Sequence, residues 1–467
     1  MRTLVLISAD LYVRNFVDTG AFAALDPDDT WYVASSGRAA RPETQARLER
    51  LPTYLGTVED PRPRAVDRYR RLRTLFMAAA RTRSRTMRHK LSLMPRLDRT
   101  LYALGALPGI RQVLRRTMLH RAGFSPQLHA LIERLGPDLI VAPSGGFDTL
   151  VWDGLRSARA LGLPSLMLTH NWDNLSSKGL FPVRPDYLGV WGDQSVEHAR
   201  RIHRFPAERV TALGAPSFEQ YFRHRPGSTS SPFPFRYALF AGCFAPFDEA
   251  GALRRLERAI DAAGSDITVV YRPHPHRMPR RVPDLVDERE LSHVILDPQV
   301  RDHYAASFEE QGGWASADRR RLKPLLPPLD YYPALLEHAE FVICPLSTMI
   351  VEAALFECPV IVVAYDDGIH PNSPAAVVDY EHFEGIDRVD GFYVCRRPEE
   401  LDESFIRLSG GGIRSGRPLR EQIRWWLYFD ERSYGERLRS WVEAIARREG
   451  ISEDAERLPA PQGVRTS

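Results

Sequence analysis

FVICPLSTMIVEAALFECPVIVVAY, residues 341–365, contains two apolar runs on either side of a helix-forming segment. The first run, 341–344, is short and apolar, which is typical of a buried strand in a parallel sheet. Good helix formers occupy 349–356, and Pro359 ends that segment before a second buried strand at 360–364. A strand, a turn, a helix and a strand in this order predict an α/β unit with a parallel sheet.

The turn in this unit contains Ser347 and Thr348, where the N-cap of the helix belongs. Free backbone N–H groups and the positive end of the helix dipole predict an anion site there, at the carboxyl edge of the sheet. Glu352 lies one helical turn further along the same face, within reach of sugar hydroxyls if a phosphate binds at the turn. The alternative is that Ser347 and Thr348 only cap the helix and that Glu352 is a surface carboxylate.

A second segment, TVVYRPHPH at 268–276, places cationic side chains directly after a predicted strand. Arg272, His274 and His276 alternate with two prolines, which make the turn stiff. Three side chains that carry or can acquire positive charge at a rigid strand end favour a diphosphate ligand.

The run YRPHP at 271–275 and the pattern STMxxEAALxxxPVI at 347–361 together resemble the C-terminal domain of GT-B glycosyltransferases. The resemblance is closest to the group that includes bacterial CDP-glycerol glycerophosphotransferases and capsule or lipopolysaccharide glycosyltransferases. It implies four donor contacts: diphosphate contacts for His274, Ser347 and Thr348, and a ribose or sugar contact for Glu352.

The length of 467 residues exceeds what one hydrophobic core usually supports and predicts two domains. The predicted fold class is α/β, with two Rossmann-like domains facing each other across a cleft, as the resemblance to GT-B enzymes implies. The predicted parts are an N-terminal acceptor domain at 1–222, a Pro-, Ser- and Arg-rich linker at 223–235, a C-terminal donor-nucleotide domain at 236–430, a C-terminal helix at 431–451 and a disordered tail at 452–467.

The first domain carries a strongly basic segment at about 61–121, with 17 Lys or Arg and 2 Asp or Glu. Apolar residues interleaved with these charges predict an insertion of short amphipathic helices. A solvated helical face and contact with an anionic membrane surface are both open interpretations, and membrane contact would suit a lipid-linked acceptor. Nucleic acid is not a predicted partner, because aromatic stacking platforms are sparse and no nucleic-acid motif occurs.

A predicted strand at 165–169 in the first domain leads into the polar run HNWDNLSSKG. Such polar groups at a carboxyl strand end mark the site of an open α/β sheet. His170 and Asp173 are therefore candidates for the base that activates an acceptor hydroxyl, with Asp148 as a third. The alternatives are that His170 is a structural hydrogen bonder and that Asp173 caps a turn.

Glycosyl transfer also needs stabilisation of the leaving diphosphate. No D-x-D triplet follows a predicted strand, and no G-x-G-x-x-G suggests a dinucleotide cofactor, so the prediction is metal-independent catalysis without a cofactor. The second domain offers no nucleophile, which favours inversion. Charge stabilisation is assigned to Arg272, His274, His276 and the Ser347–Thr348 turn. His274 also counts as catalytic, and the turn at Gly242 is a further donor-side loop.

The predicted function is a glycosyltransferase that moves a sugar from a nucleotide-diphosphate donor to a cell-surface glycan or lipid-linked acceptor. The alternatives are a glycerophosphotransferase that uses CDP-glycerol, a nucleotide-sugar 2-epimerase and a non-catalytic nucleotide-sugar-binding protein. Four cysteines without metal-ligand spacing, and a start that does not fit a signal peptide, predict the cytoplasm or the inner face of the plasma membrane.

Overall fold

The computed structural model describes residues 1–451 apart from 38, 40, 61–62, 147, 226, 275–290, 310–330 and 412–414, and gives no side chains for 306–309. The described chain forms two compact units. Unit 1 comprises Met1–Glu219 together with the C-terminal part from Arg424, and unit 2 comprises Gln220–Ile423. The predicted domains end at residues 222 and 430, which is three and seven residues later than the divisions after Glu219 and Ile423. The predicted tail at 452–467 lies outside the described residues.

In the part of unit 1 that the structure describes, seven parallel strands form one sheet: β1 (Thr3–Ile7), β2 (Thr30–Ser35), β3 (Tyr54–Val58), β4 (Leu139–Ser144), β5 (Ser165–Thr169), β6 (Tyr187–Val190) and β7 (Val210–Ala212). Their order is β3-β2-β1-β4-β5-β6-β7. The chain therefore builds outward in one direction from β1 and in the other from β4. In sheets of this kind, ligands bind at the carboxyl edge where the order reverses, here between β1 and β4.

The helices of unit 1 that precede the boundary are α1 (Asp10–Tyr12), α2 (Pro42–Leu48), α3 (Pro63–Ala80), α4 (Arg85–Ser92), α5 (Arg96–Gly105), α6 (Pro108–Ala122), α7 (Pro126–Leu135), α8 (Thr149–Ala160), α9 (Asn174–Ser177), α10 (Asp193–Arg201) and α11 (Glu219–Arg223), which continues into unit 2. A π-helical turn at Val13–Val17 follows α1, and 3₁₀ turns occur at Ala207–Arg209 and Pro216–Phe218. None of the described helices is both long and apolar enough to cross a membrane.

The basic segment forms four helices within its described residues, α3 to α6, so the predicted helical insertion is confirmed. Its longest helix, α3, buries one face against the core of unit 1. Tyr69 on that face is fully buried, its ring lies 5.0 Å from that of Trp152, and its hydroxyl donates to Asp153. Apolar burial and a satisfied hydroxyl hold the insertion to the sheet.

In unit 2, the described residues form six parallel strands: β8 (Tyr237–Ala241), β9 (Thr268–Arg272), β10 (Val294–Leu296), β11 (Val342–Pro345), β12 (Val360–Val363) and β13 (Phe392–Cys395). Their order is β10-β9-β8-β11-β12-β13, so the order reverses between β8 and β11. The helices are α12 (Glu249–Ala263), α13 (Pro298–Glu309), α14 (Tyr331–Glu337), α15 (Met349–Leu355), α16 (Pro374–Val377), α17 (Pro398–Ser409) and α18 (Leu419–Gln422), with 3₁₀ turns at Glu381–Phe383 and Ile386–Arg388.

The segment β11–α15–β12 has the predicted strand–turn–helix–strand order, with Thr348 at the N-cap position of α15. One detail differs from the predicted run at 341–344, because β11 extends to Pro345, which pairs with Val363. All strands of this sheet are parallel, so the turns after β8, β9, β11 and β12 lie at one edge.

The chain returns to unit 1 through its C-terminal segment, which ends in the helix α19 (Tyr434–Glu449). Ser433 begins this helix with a capping box to Glu436. Before it, the backbone N–H of Tyr428 donates to the carbonyl of Trp191 over 2.8 Å. Gly192 leaves room for this approach, since a Cβ there would lie 2.6 Å from the Trp426 carbonyl. The C-terminal segment is thus part of the packing of unit 1.

Candidate functional site

The carboxyl edge of unit 1 holds a cluster of buried polar side chains at its switch point, between β1 and β4. Asp148 is 2% exposed, and its Oδ2 accepts hydrogen bonds from the Tyr12 hydroxyl at 2.9 Å and the Ser144 hydroxyl at 2.6 Å. The backbone N–H of Gly145 donates to the same oxygen at 3.1 Å and to the Tyr12 hydroxyl at 2.8 Å. The cluster joins the end of β4 to the helix after β1, and its hydrogen bonds fix the side chains in place.

His170 follows β5, the strand next to β4, and lies edge-on to the Tyr12 ring with 5.5 Å between ring centroids. Its Nδ1 lies 3.0 Å from Asn174 Oδ1, which also accepts the backbone N–H groups of His170 and Asn171 at 3.1 and 3.0 Å. An atom that accepts two backbone N–H groups is the amide oxygen, so Nδ1 donates its proton to it. The lone pair of the neutral ring therefore resides on Nε2, as a general base requires.

The pKa of His170 is lowered from its ordinary value, chiefly because burial disfavours the charged imidazolium. The charge of Asp173 and the hydrogen bond to Asn174 oppose this effect without overcoming it. The ring is consequently neutral near pH 7, with Nε2 able to accept a proton.

Asp173, the second base candidate, is engaged within its own loop. Its Oδ2 accepts from the Ser177 hydroxyl at 2.6 Å and lies 3.2 Å from Lys178 Nζ, and its Oδ1 accepts from Asn174 Nδ2 at 3.3 Å. Asp173 occupies the N-cap position of α9 but makes no side-chain cap bond. These contacts make Asp173 a positioning residue for the loop that carries His170, and they favour His170 as the base.

In unit 2, the turn after β8 is pressed against the end of β9. A Cβ on Gly242 would lie 2.9 Å from both carboxylate oxygens of Glu249 and 3.0 Å from the backbone nitrogen of His274, so only glycine fits. Glu249 is 1% exposed and accepts from the N–H of Cys243 at 3.1 Å and from the hydroxyl of Tyr271. A buried carboxylate thus holds the Gly242 turn beside His274.

The turn after β11 places Ser347, Thr348 and Glu352 on the neighbouring strand of the same edge. Ser347 Oγ accepts from the N–H of Met349 at 3.3 Å. Glu352 Oε1 accepts from the Thr348 hydroxyl at 3.4 Å, and Oε2 accepts from the hydroxyl of Tyr221 at 2.7 Å. Glu352 is therefore oriented by two hydroxyl groups. Tyr221, also in unit 2, is a further residue of this edge beside the predicted site residues Thr348 and Glu352.

Arg272 has a different environment from the predicted one. Its guanidinium is 5% exposed, forms an ion pair with the fully buried Asp297 and donates to Gln299 Oε1 at 2.9 Å. It also lies over the rings of Tyr331 and Tyr332, at 5.0 and 5.1 Å from their centroids. The protein itself satisfies this charge, so its contact with a donor diphosphate stays a prediction that the geometry does not favour.

His274 lies with its ring 5.8 Å from that of Phe244 in the turn after β8. His276, the third predicted cation, lies outside the described residues. Of the nine predicted site residues, the edge of unit 2 brings together Gly242, Arg272, His274, Ser347, Thr348 and Glu352, while His170 and Asp173 share one loop of unit 1.

A further loop at this edge, after β12, is held by Asp367. Its carboxylate accepts from the backbone N–H of Asp248 at 2.8 Å and contacts His370 Nδ1 at 2.7 Å. Burial acts to raise the pKa of Asp367, but the hydrogen bonds to His370 and the backbone outweigh it and lower the pKa. The ionised carboxylate therefore ties the β12 loop to the turn after β8.

Among the described residues, one group has carboxylate and imidazole atoms close enough to share a metal ion: Glu257, Asp261 and His293. His293 immediately precedes β10, so this group lies at the amino edge of the sheet, away from the turns just described. Glu257 already accepts the backbone N–H groups of Ser292 at 2.6 Å and His293 at 3.0 Å. The group acts as a turn brace, and the prediction of metal-independent catalysis at the other edge stays untested.

Sequence reasoning missed Tyr12, Ser144, Asn174, Tyr221 and Glu249. Asn174 carries a usable signal, because it lies in the polar run at 170–179 that follows the predicted strand at 165–169. Ser144 and Glu249 also carry one, because Ser144 closely follows an apolar run at 139–142 and Glu249 begins a helix. Tyr12 and Tyr221 carry none, since their roles depend on contacts with residues 136 and 131 positions away that no periodicity encodes.

No protein-family model and no curated protein matches the sequence. Solved structures do match. UDP-GlcNAc 2-epimerase from Methanocaldococcus jannaschii aligns with a TM-score of 0.53 and 10% identity over 95% of this chain and 100% of that one. The S. aureus MnaA–UDP co-structure aligns with a TM-score of 0.51 and 13% identity over 97% of this chain and 98% of that one. The glycotransferase of kitacinnamycin aligns with a TM-score of 0.51 and 12% identity over 96% of this chain and 98% of that one. At these identities the likeness shows the fold, which is the predicted GT-B type.

Proposed function

We propose that the protein is an enzyme that acts on a nucleotide-diphosphate sugar and transfers the sugar to an acceptor hydroxyl. The observation that carries the proposal is His170, which follows β5 and contacts Tyr12 beside the switch point of unit 1, with Nδ1–H donated to Asn174 and the lone pair on Nε2. We propose that the turns at the carboxyl edge of unit 2 bind the phosphate groups of the donor, as such edges do in other α/β sheets.

In the proposed reaction, His170 Nε2 removes the proton of the acceptor hydroxyl while the acceptor oxygen forms a bond to C1 of the sugar. The bond from C1 to the diphosphate oxygen breaks, and the nucleoside diphosphate leaves with the electron pair. His274 and the turns at Gly242 and Ser347 stabilise the charge that develops on the leaving group. Attack opposite the leaving group inverts C1, and we propose that no metal ion takes part.

A nucleotide-sugar 2-epimerase is the second candidate, because two of the solved structures with this fold carry that name or bind UDP. In that reaction the sugar changes configuration at C2 and remains a nucleotide sugar at the end. A CDP-glycerol glycerophosphotransferase has only the sequence resemblance at 271–275 and 347–361 in its favour. We propose a cytoplasmic location for all of these activities.

The test begins with thermal unfolding of the full chain in the presence of UDP-, GDP-, CMP- and CDP-linked compounds. A ligand at about 100 times its Kd should stabilise the protein by about 2.7 kcal/mol. The compound that stabilises it is then incubated with the protein and candidate acceptors, and nucleoside diphosphate and glycoside are quantified. Equal amounts of both products support transfer. An isomeric nucleotide sugar without net nucleoside diphosphate would assign the epimerase activity instead.

Absence of stabilisation by every compound would overturn the proposal for both enzyme classes. Binding without turnover in any acceptor mixture would favour the non-catalytic alternative. Solvent deuterium at C2 of recovered nucleotide sugar distinguishes an epimerase from a slow transferase, because transfer breaks no bond to C2.

A further inference from the structure

The insertion in unit 1 exposes a series of large apolar side chains that lie close together in the sequence. Of the thirteen exposed large hydrophobic residues in the described chain, seven lie between 93 and 113. We call this set the apolar face: Leu93, Leu97, Leu101, Leu104, Leu107, Ile110 and Val113. An exposed cluster of this kind, unlike scattered single residues, marks a surface for association.

The apolar face is a consequence of how α5 packs. Gly105, at the end of α5, packs against α3 and α6, where a Cβ would come within 3.0 Å of Leu75 and 3.3 Å of Leu114. Leu97, Leu101 and Leu104 precede it on the same helix at spacings of four and three residues and are 72%, 57% and 55% exposed. The helix is therefore held at its C-terminal end, and its leucines remain open to solvent.

Arginines lie on the same helices as the apolar face and on the neighbouring α4. Among the described residues, Arg88, Arg96, Arg99 and Arg116 are exposed and form no ion pair. A cavity of about 540 Å³ opens between α3, α4 and α5, lined by Leu91, Leu104 and Leu107 with Arg88 and Arg99. Apolar residues that can enter a hydrocarbon layer, with arginines beside them, match the two components of an anionic lipid surface.

We infer that the apolar face docks into the interface of an anionic lipid bilayer, with the neighbouring arginines on the lipid headgroups. A second copy of the chain is the weaker occupant, because pairing two such faces would bring two sets of arginines together. The inference rests on the exposed face and not on the proposed function.

Two contacts connect the insertion to the site in unit 1. The Ser84 hydroxyl, at the N-cap of α4, donates to the carbonyl of Ser176 at 3.0 Å, and Lys90 Nζ, in the last turn of α4, donates to the carbonyl of Ser177 at 3.1 Å. Ser176 and Ser177 belong to α9, in the loop that carries His170. Docking of the insertion would therefore place the proposed acceptor side of the enzyme close to the lipid surface.

The test is flotation of the full chain with vesicles of phosphatidylcholine, or of phosphatidylcholine and phosphatidylglycerol in equal amounts. We expect binding to the anionic vesicles at about 0.1 M salt and its loss near 1 M, where the Debye length falls from about 10 to about 3 Å. The variant Leu97→Gln/Leu101→Gln/Leu104→Gln should bind at least about tenfold more weakly. Ile406→Gln, an exposed apolar residue of α17 in unit 2, is the matched control and should bind normally.

The pair Arg96→Gln/Arg99→Gln tests the charge term separately and should weaken binding about fivefold for each arginine. Its control is Arg200→Gln/Arg447→Gln, two exposed arginines on other helices of unit 1. Thermal unfolding of each variant verifies folding. Absence of vesicle binding by the native chain, or equal binding by the leucine variant, would overturn the inference. A native dimer that the leucine variant loses, without vesicle binding, would assign the face to self-association.

Discussion

The two carboxyl sheet edges of this protein use their polar residues in different ways. In unit 1, side chains from separate strand ends bond to one another: Tyr12 and Ser144 both donate to Asp148, and the Tyr12 ring lies against His170. In unit 2, the carboxylates of Glu249 and Asp367 accept backbone N–H groups and hold the turns after β8 and β12. One edge is a fixed cluster of side chains, and the other is a set of braced turns.

This difference suggests a division of labour. A cluster whose geometry is set during folding suits proton transfer, because no orientation cost remains when the substrate binds. Braced turns that bring backbone N–H groups to one edge suit the binding of phosphate. Cationic side chains are predicted to bind the diphosphate at the edge of unit 2. The structure does not favour Arg272 in this role, because Arg272 is already paired with Asp297. The comparison therefore favours the proposed division, with acceptor activation in unit 1 and donor binding in unit 2.

The largest expected effect comes from removing the proposed base. His170→Ala should lower kcat at least about 10²-fold, since general-base catalysis typically contributes 10²- to 10⁴-fold, while the Kd for the nucleotide sugar should change little. His129→Ala is the matched control, a partly buried histidine of α7 whose ring lies 4.9 Å from that of Phe124. Native turnover in His170→Ala would remove unit 1 from the chemistry and break the comparison.

The pH dependence of the proposed activity tests the same role of His170. Burial lowers the pKa of His170, so the neutral base persists below the ordinary value of about 6.5. Activity depends on the neutral form, so kcat/KM should stay constant as pH falls to about 6.5 and decline only below it. An acidic limb centred above 6.5 would contradict His170 as the base, because it would require a raised pKa.

The fold could be predicted from sequence because its signals are local. The apolar runs at 341–344 and 360–364, the helix between them and the strand before Arg272 all appear where the patterns place them. The predicted strand ends also located both edges, since parallel strands share one carboxyl edge. The partners of individual side chains could not be predicted, because they depend on which strands become neighbours. Asp297, 25 residues beyond Arg272, is such a partner.

The second-largest expected effect concerns the ion pair between Arg272 and Asp297. Arg272→Gln should reduce the free energy of unfolding by about 3–5 kcal/mol, because it leaves the fully buried Asp297 carboxylate without its cation. The control is Arg236→Gln, which removes an exposed arginine paired with Asp266 and Glu340, each at 2.8 Å, and should cost less than about 1 kcal/mol. Urea unfolding measures both. Native stability in Arg272→Gln, together with a selective loss of nucleotide-sugar binding, would restore the predicted donor contact.

The smallest expected effect separates Glu352 from the tyrosine that orients it. Glu352→Ala should raise the Kd for the nucleotide sugar about tenfold, because one charged acceptor of sugar hydroxyls is lost. Tyr221→Phe keeps the carboxylate and removes only the 2.7 Å hydrogen bond to Oε2, so its effect should be smaller, at about two- to fivefold. Calorimetric titration of both variants measures which one raises the Kd more, with the exposed Glu403→Ala of α17 as the control for lost negative charge.

If Tyr221→Phe weakened binding as much as Glu352→Ala, the hydrogen bond between Tyr221 and Glu352 would itself be required for donor binding. Unit 2 would then depend on a preformed side-chain cluster, as unit 1 does. Unchanged affinity in both would leave Glu352 as a structural partner of Tyr221 and confine donor binding to the backbone turns.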